Sequence, residues 1–367
     1  MKLRVRWFLG VFWLAGCTAA APTYVPSVDG ETVTVFVHGY KGSFLDADDA
    51  GHTRAWLSVG QLLSKGEVSL ALPREGQRTL PSFASLKPAG PLTRFTAVPL
   101  LISEDIYLGW LEFGRDHLPG FVPFAYDWRQ DVRASGRELC DFLAKLPGKQ
   151  LHLVGHSMGG LVIWSCLSEN AQVAARVTRV VFAGTPFQGG PGIFKDLILG
   201  TTIGRNQALL SRDALFTFPS AWQLLSAKGE LFVDAAGAQL ALDAFDPSVW
   251  VARRWGVFSG ETGPAELAWL EVLLAHHAGL RATLARPLRS SPRLLAVVGT
   301  GRPTVSAVRL TADGFDFGHP ATADGDGSVL SSSASPPGAF SRFDSGAEHV
   351  QLLNDRAVQS EIEAFLR

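Results

Sequence analysis

The run LHLVGHSMGGLV at 151–162 constrains this chain more than any other part of it. Apolar residues lead into a turn crowded with glycine and apolar residues follow at once, a pattern that reads as a buried strand, a sharp reversal and a helix. Ser157 sits at the reversal in GHSMG. Gly155 and Gly159 lie two residues to either side of it, where a side chain would collide as the backbone turns. Such a turn lifts the serine hydroxyl above the sheet edge and aims the first free N–H groups of the helix at negative charge developing beside it. A serine held in this way suits acyl transfer; in a merely structural turn it would be inert.

A hydroxyl is a weak nucleophile at neutral pH, so it needs a histidine base and an acid to orient that base, in the chain order Ser, Asp or Glu, His. After Ser157 the chain has four histidines. His276 and His277 fall in the helical-looking stretch AELAWLEVLLAHHAGL, where packing or solvation explains them. His319 precedes a proline and comes before the best acid candidate. His349, in GAEHVQLLND, follows a loop and precedes the final helix, which makes it the candidate base. For the acid, ADGDGSVL at 323–330 offers Asp324 and Asp326. Asp326 fits better, because the Gly-x-Val step behind it would pack the loop onto the core, leaving Asp324 as a turn former. The alternation of aspartate and glycine could also supply calcium ligands, but the twelve-residue loop and its terminal glutamate are missing.

Two N–H donors should face the oxyanion. Met158, directly after the serine, supplies one. The other should follow the first core strand, and TVTVFVHGYKGS ends a β-branched run in His38 and Gly39, which leaves the N–H of Tyr40 as donor and His38 as architecture.

Lys2, Arg4 and Arg6 precede the short apolar run WFLGVFWLAG, and Leu14-Ala15-Gly16-Cys17 resembles a bacterial lipobox. The run is too short to span a bilayer comfortably, so a signal segment (1–16) processed at a lipidated Cys17 is expected. Each buried methylene contributes about 0.8 kcal/mol, so two or three acyl chains anchor durably where one does not. The location implied is a bacterial cell envelope, at the outer membrane in a Gram-negative cell. The precursor carries a net charge of −1, and no basic cluster points to nucleic acid. Cys140 and Cys166 remain, both in helical-looking apolar stretches beside the serine turn. They are expected as buried free thiols, with a bridge open to them if their helices lie side by side.

Strand-like runs at 32–38, 67–72, 121–126, 150–155, 178–183 and 293–299 alternate with helical patterns such as 132–146, which predicts a mostly parallel sheet with helices on both faces. Behind a linker (17–31), the expected core runs over 32–187 and 292–367. A helical-looking insertion, rich in Leu, Phe and Trp, occupies 188–291. Phe187, Phe194, Leu197, Phe216 and Trp222 are candidate walls of an apolar pocket, or else a core for the insertion itself. At 367 residues with 47% hydrophobic and 18% charged residues, the chain can bury one large core carrying such an insertion.

Several segments, in order, resemble the α/β-hydrolase group that contains lecithin:cholesterol acyltransferase, phospholipid:diacylglycerol acyltransferase and lysosomal phospholipase. FVHGYKGS resembles its oxyanion strand, AYDWR (125–129) its PYDWR, and GTPFQGG (184–190) its GTPWGG; GHSMGGLV, FPSAWQLLS (218–226), DGDGSV (324–329) and EHVQLLND (348–355) complete the series. The resemblance implies an α/β-hydrolase fold with a helical cap or lid insertion, and puts Ser157, Asp326 and His349 at the group's triad positions. No cysteine lies between Tyr40 and Gly120, so the lid disulfide of the animal enzymes has no counterpart, and Ser328 stands where threonine is usual. The function expected is a serine-dependent lipid ester hydrolase that needs no metal or other cofactor, with an acyl ester as substrate and a membrane as partner through Cys17. A lipid acyltransferase using the same residues is the near alternative. A non-catalytic lipid-binding lipoprotein is the alternative of another class.

Overall fold

A computed structural model describes residues 31–48, 53–66, 68–73, 82–83, 85–98, 102–226 and 231–367. The expected signal segment, Cys17 and nearly all of the linker lie outside the described residues. Six strands form the central sheet: β1 (Thr32–Val37), β2 (Val122–Phe124), β3 (Gln150–His156), β4 (Val177–Ala183), β5 (Arg293–Gly299) and β6 (Ser341–Ser345). They lie in the order β6-β5-β4-β3-β1-β2, and every pairing is parallel.

A parallel sheet must be covered on both faces, and its strands therefore read as unbroken apolar runs. In β4, Val180, Val181, Phe182 and Ala183 are all buried. Alternate residues divide between the faces. Val35, Leu153 and Val180 join a cluster with Leu139 and Leu143 of α2 (Val132–Lys145) and Leu161 and Val162 of α3 (Met158–Glu169). Phe36, Val154 and Val181 face the other way, against Trp110 and Leu111 of α1 (Leu108–His117) and Val358 and Ile362 of α5 (Arg356–Leu366). From β1 the chain first goes to β2 at one edge and then returns to lay β3 on β1's other side. The carboxyl ends of β1 and β3 are thus neighbours at a switch point, the place where open α/β sheets present ligand sites.

Three expectations change. Of the run 67–72, the described residues 68–72 form no core strand: Ser69 makes a single bridge to Ser82, and Leu70 N–H and Leu72 N–H are spent on Leu209 O and Thr217 Oγ1. The insertion is less helical than its composition suggests. It holds a hairpin (Thr201–Ile203 with Asn206–Leu210) and a short strand (Phe232–Val233) beside its longest helix, α4 (Pro264–Leu284). That short strand pairs with a long antiparallel ribbon, Arg302–Thr311 with Gly314–Gly325, which no apolar run announced.

The third change concerns the cysteines, which form a disulfide with Cα atoms 5.5 Å apart. Gly136 allows it: a Cβ there would lie 2.8 Å from Ser165 Cβ and 3.1 Å from Cys166 N, so α2 and α3 can close one turn from Cys140. Among the described residues, no helix is long and apolar enough to cross a membrane. Closing a loop with a sequence separation of 26 is worth about 3 kcal/mol. Replacing Cys140 and Cys166 together by alanine should lower stability by about that amount in urea unfolding. A shift below about 1 kcal/mol would show that the bridge constrains little.

Candidate active site

Ser157 follows β3 with φ 53° and ψ −128°, a conformation that costs a non-glycine residue on the order of 1–3 kcal/mol and persists only where its surroundings enforce it. The surroundings here are backbone. A Cβ at Gly155 would lie 2.7 Å from Gly160 Cα, and one at Gly159 would lie 2.2 Å from Val37 O and 2.5 Å from His38 O. The glycines therefore seat the first turn of α3 both against its own strand and against the end of β1.

His349 begins the turn after β6, and its Nε2 lies 2.9 Å from Ser157 Oγ. Its Nδ1 lies 2.7 Å from Asp326 Oδ2. A carboxylate can only accept, so Nδ1 carries the proton and Nε2 is free to accept from the serine hydroxyl. Asp326 is 2% exposed. Its Oδ1 accepts from the N–H groups of Ser328 (2.9 Å) and Val329 (2.7 Å), which is where the Gly-x-Val step is used. Burial works against the charge on Asp326, yet the hydrogen bonds from His349 and these amides hold its carboxyl below the usual carboxylate range. Asp324 stands apart, exposed, accepting from Gly301 N–H at 2.6 Å. Gly184, at φ 57°, has room for no side chain, since a Cβ would meet Asp326 Oδ2 and His349 Nδ1 at 3.1 Å each.

The turn after β1 packs directly on the serine: a Cβ at Gly39 would lie 2.8 Å from Ser157 Cβ. The Gly39 carbonyl accepts from Gly42 N–H (3.1 Å) and from His38 Nδ1–H (2.9 Å). In a trans peptide the N–H points opposite to the carbonyl, so fixing that oxygen fixes Tyr40 N–H in the reverse direction. Tyr40 N–H donates to no protein group among the described residues. Met158 is the first residue of α3, where an N–H has no acceptor within the helix.

AYDWR braces this turn from behind. Tyr126 N–H donates to His38 Nε2 (3.2 Å), its hydroxyl donates to His38 O (2.8 Å), and the two rings stack at 4.2 Å. Trp128 Nε1–H donates to Ser43 O, and Arg129 holds both Asp127 and Leu70 O. FPSAWQLLS contributes Gln223, which accepts from Val132 N–H at 2.8 Å and donates to Asp131 at 2.9 Å, while His276 also holds Asp131. Arg281 of α4 donates to Phe187 O at 2.8 Å.

A cleft of about 400 Å³ opens beside Ser157 and His349, walled by Tyr40, Lys41, Pro186, Ile193, Asp196, Leu224 and Val329 among others. None of the five candidate wall residues lines it. Phe187, Phe194, Leu197, Phe216 and Trp222 are buried, and large rings pack on one another, Trp222 on Trp250 at 4.8 Å and Phe194 on Trp250 at 5.6 Å. The cleft instead falls to smaller neighbours and to an ion pair, Lys41 with Asp196 at 3.4 Å, that the sequence did not suggest. Lys41 stands in the turn after β1 at φ 61°.

Residues 112–234 match the family model for lecithin:cholesterol acyltransferase. The resemblance read from the motifs holds. A comparison with curated protein sequences finds no match. Among solved structures, a chain of the Tle4–Tli4 complex is similar at 13% identity, with 92% of this chain and 98% of that one covered and a TM-score of 0.52. The mature form of Bacillus licheniformis lipase BlEst2 gives 13% identity, 95% and 96% coverage and a TM-score of 0.42. A lipase-esterase related protein from Clostridium acetobutylicum gives 11%, 93% and 97%, and 0.40. The sheet and its helices are the α/β-hydrolase fold. The family match supports an enzyme acting on esters, as hydrolase or acyltransferase.

Burial lowers His38 and His277 to about 4 and His156 to about 3, so all three are neutral in the fold at pH 7. Once unfolded they take up protons below about pH 6.5, so their contribution to stability is complete above that pH and is lost as pH falls toward 4. Unfolding free energy should therefore decline between pH 6.5 and 4 by up to about 1.4 kcal/mol per pH unit for each such histidine. Urea titrations at stepped pH measure it; a flat profile above pH 4.5 would contradict the burial.

Proposed function

We propose that the chain is a serine-dependent hydrolase of lipid carboxylic esters. The observation that carries this reading is the hydrogen-bonded line Asp326–His349–Ser157 at the carboxyl end of a parallel sheet, opening on a cleft beside Tyr40. In it, His349 Nε2 takes the Ser157 proton as Oγ attacks the ester carbonyl, and Asp326 holds the imidazole and favours its charged form. The tetrahedral oxyanion faces the N–H groups of Tyr40 and Met158. Collapse expels the alcohol with the proton from His349. Water, deprotonated by the same nitrogen, then attacks the acyl-enzyme and releases the acid. No step calls for a metal or other cofactor.

Transfer to a lipid alcohol requires holding water back, whereas a charged pair on the cleft wall favours a hydrated entrance. Hydrolysis is therefore the main activity expected, and the family match keeps acyl transfer as the second reading. The insertion 188–291 serves as the cap, contributing Gly189, Ile193, Asp196 and Leu224 to the cleft.

The test is fluorophosphonate labelling together with a labelled phospholipid presented in vesicles with a long-chain alcohol. Ser157→Ala should abolish labelling and turnover with the fold intact, His349→Ala should lose about a thousandfold or more, and Asp326→Asn should lose far more than Asp324→Asn. Label should emerge mainly as free acid. Its appearance chiefly in a new ester would turn the reading to an acyltransferase, and a wild-type protein inert in both assays would leave a lipid-binding lipoprotein.

A lipid-anchored protein of the cell envelope is proposed from the lipobox, which supports Cys17 as the processed and acylated first residue. Intact-mass measurement of native protein from the membrane fraction should show a mature chain starting at Cys17 with added acyl mass, and Cys17→Ser should release it or leave it unprocessed. An unmodified N-terminus elsewhere contradicts the anchor.

A further inference from the structure

His156, the residue before the serine, is buried and has both ring nitrogens engaged. Nδ1 lies 2.8 Å from the Tyr107 hydroxyl and Nε2 lies 2.9 Å from the His349 carbonyl oxygen. A carbonyl can only accept, so Nε2 carries a proton; burial keeps the ring neutral, which leaves Nδ1 as an acceptor. Tyr107 must then donate its hydroxyl hydrogen to His156. The oxygen keeps lone pairs, and it accepts Gly39 N–H at 3.0 Å. Every proton in the chain is thereby directed: Gly39 N–H to Tyr107, Tyr107 O–H to His156, His156 Nε2–H to the carbonyl of His349.

We propose that Tyr107 and His156 are positioning residues of the ester-cleaving reaction, a buried strut that sets the oxyanion-facing turn at Gly39–Tyr40 and the backbone of His349 relative to the serine turn. The proposal rests on the reading of Ser157 as nucleophile. Neither side chain lines the cleft, so neither touches substrate. Each end of the strut acts on a part the reaction needs. At one end, the Gly39 N–H is taken by Tyr107 while the Gly39 carbonyl is held by Gly42 and His38, so the two peptides flanking this glycine are both pinned and the direction of Tyr40 N–H, beside the cleft, is fixed with them. At the other end, His349 is held through its own backbone from two sides, its N–H by Asp326 O at 3.0 Å and its carbonyl by His156.

A second set of contacts fixes the strut's middle. Tyr107 immediately precedes α1, and the segment bearing His349 grips that entrance: Asn354 accepts from Trp110 N–H at 3.0 Å and donates to Ile106 O at 3.0 Å, and Gln351 donates to Asp105 O at 2.9 Å. Displacing Tyr107 would therefore disturb the histidine loop and the oxyanion-facing turn together. Errors of about 1 Å in such groups cost rate more than binding, because they are felt where charge develops in the transition state.

The experiment compares wild type, Tyr107→Phe, His156→Asn and the double variant, with every rate normalised to the sites titrated by a burst of a chromogenic ester, so that a smaller folded fraction does not count. Tyr107→Phe should lower kcat per titrated site about 10- to 100-fold with KM within about twofold. His156→Asn keeps an acceptor for Tyr107 but loses the bond to His349, and should fall in the same direction. The double variant should be no slower than the slower single one, because the two act as a unit. Should Tyr107→Phe fail to fold, His156→Gln, which keeps a donor for the His349 carbonyl and orphans the Tyr107 hydroxyl, gives the same readout. A per-site kcat within about twofold of wild type, or losses that multiply in the double variant, would overturn the strut. A wild-type protein that fluorophosphonate does not label at Ser157 would instead remove the reading beneath it.

Discussion

The close passage of the first turn of α3 across the end of β1 is the contact on which the rest of this site depends. At Gly159 a single added carbon would lie 2.2 Å from the Val37 carbonyl, so the turn sits as near as two backbones can. That nearness brings Ser157 and Tyr40, more than a hundred residues apart, to the same cleft. It also fixes the outer parts of the site. AYDWR has to hold the turn after β1 from behind, and Asp326, at the end of the ribbon that follows β5, and His349, after β6, have to arrive on the far side, where Gly184 and Gly299 leave them room.

What was legible in the sequence follows from what each segment buries. Core strands packed on both faces read as apolar runs, and five of the six expected runs are strands of the sheet. The ribbon at 302–325 escaped notice because much of it is half exposed and its polar side chains bond outward, Arg309 to Asp234 O and His319 to Asp316. The edge strand Ser341–Ser345 is short and largely polar for a similar reason.

Within the site, Ser157 could be named from the glycines that crowd its turn, Asp326 from the Gly-x-Val step behind it and His349 from its place between a loop and the final helix, in the chain order Ser, Asp, His, and the structure brings those three side chains together. His156 was in view throughout as part of the serine turn, with nothing to tell its buried neutral ring from a loop histidine. Tyr107 gave no signal, since its partners lie 68 and 49 residues away in sequence. The cysteine pair turned on Gly136, whose missing side chain draws two helices together; read alone, each cysteine looks like a small hydrophobe. The aromatic residues of the insertion fall to the second of the two readings open to them, a core and not a pocket wall, because rings of that size satisfy one another before they line a void.

Gln223 has a mechanical consequence for how anything enters the cleft. Rotating the insertion as a body away from α2 would strip Val132 N–H of Gln223 and Phe187 O of Arg281, and would take Gln223 and His276 from Asp131, which keeps Arg133. Each buried polar group left unpaired costs about 1–3 kcal/mol, so a hinge there is stiff. The Lys41–Asp196 pair at the cleft wall is partly exposed and is worth on the order of 1 kcal/mol or less. Parting that one pair is the softer motion at the cleft wall, a change of two side-chain rotamers on a stiff frame.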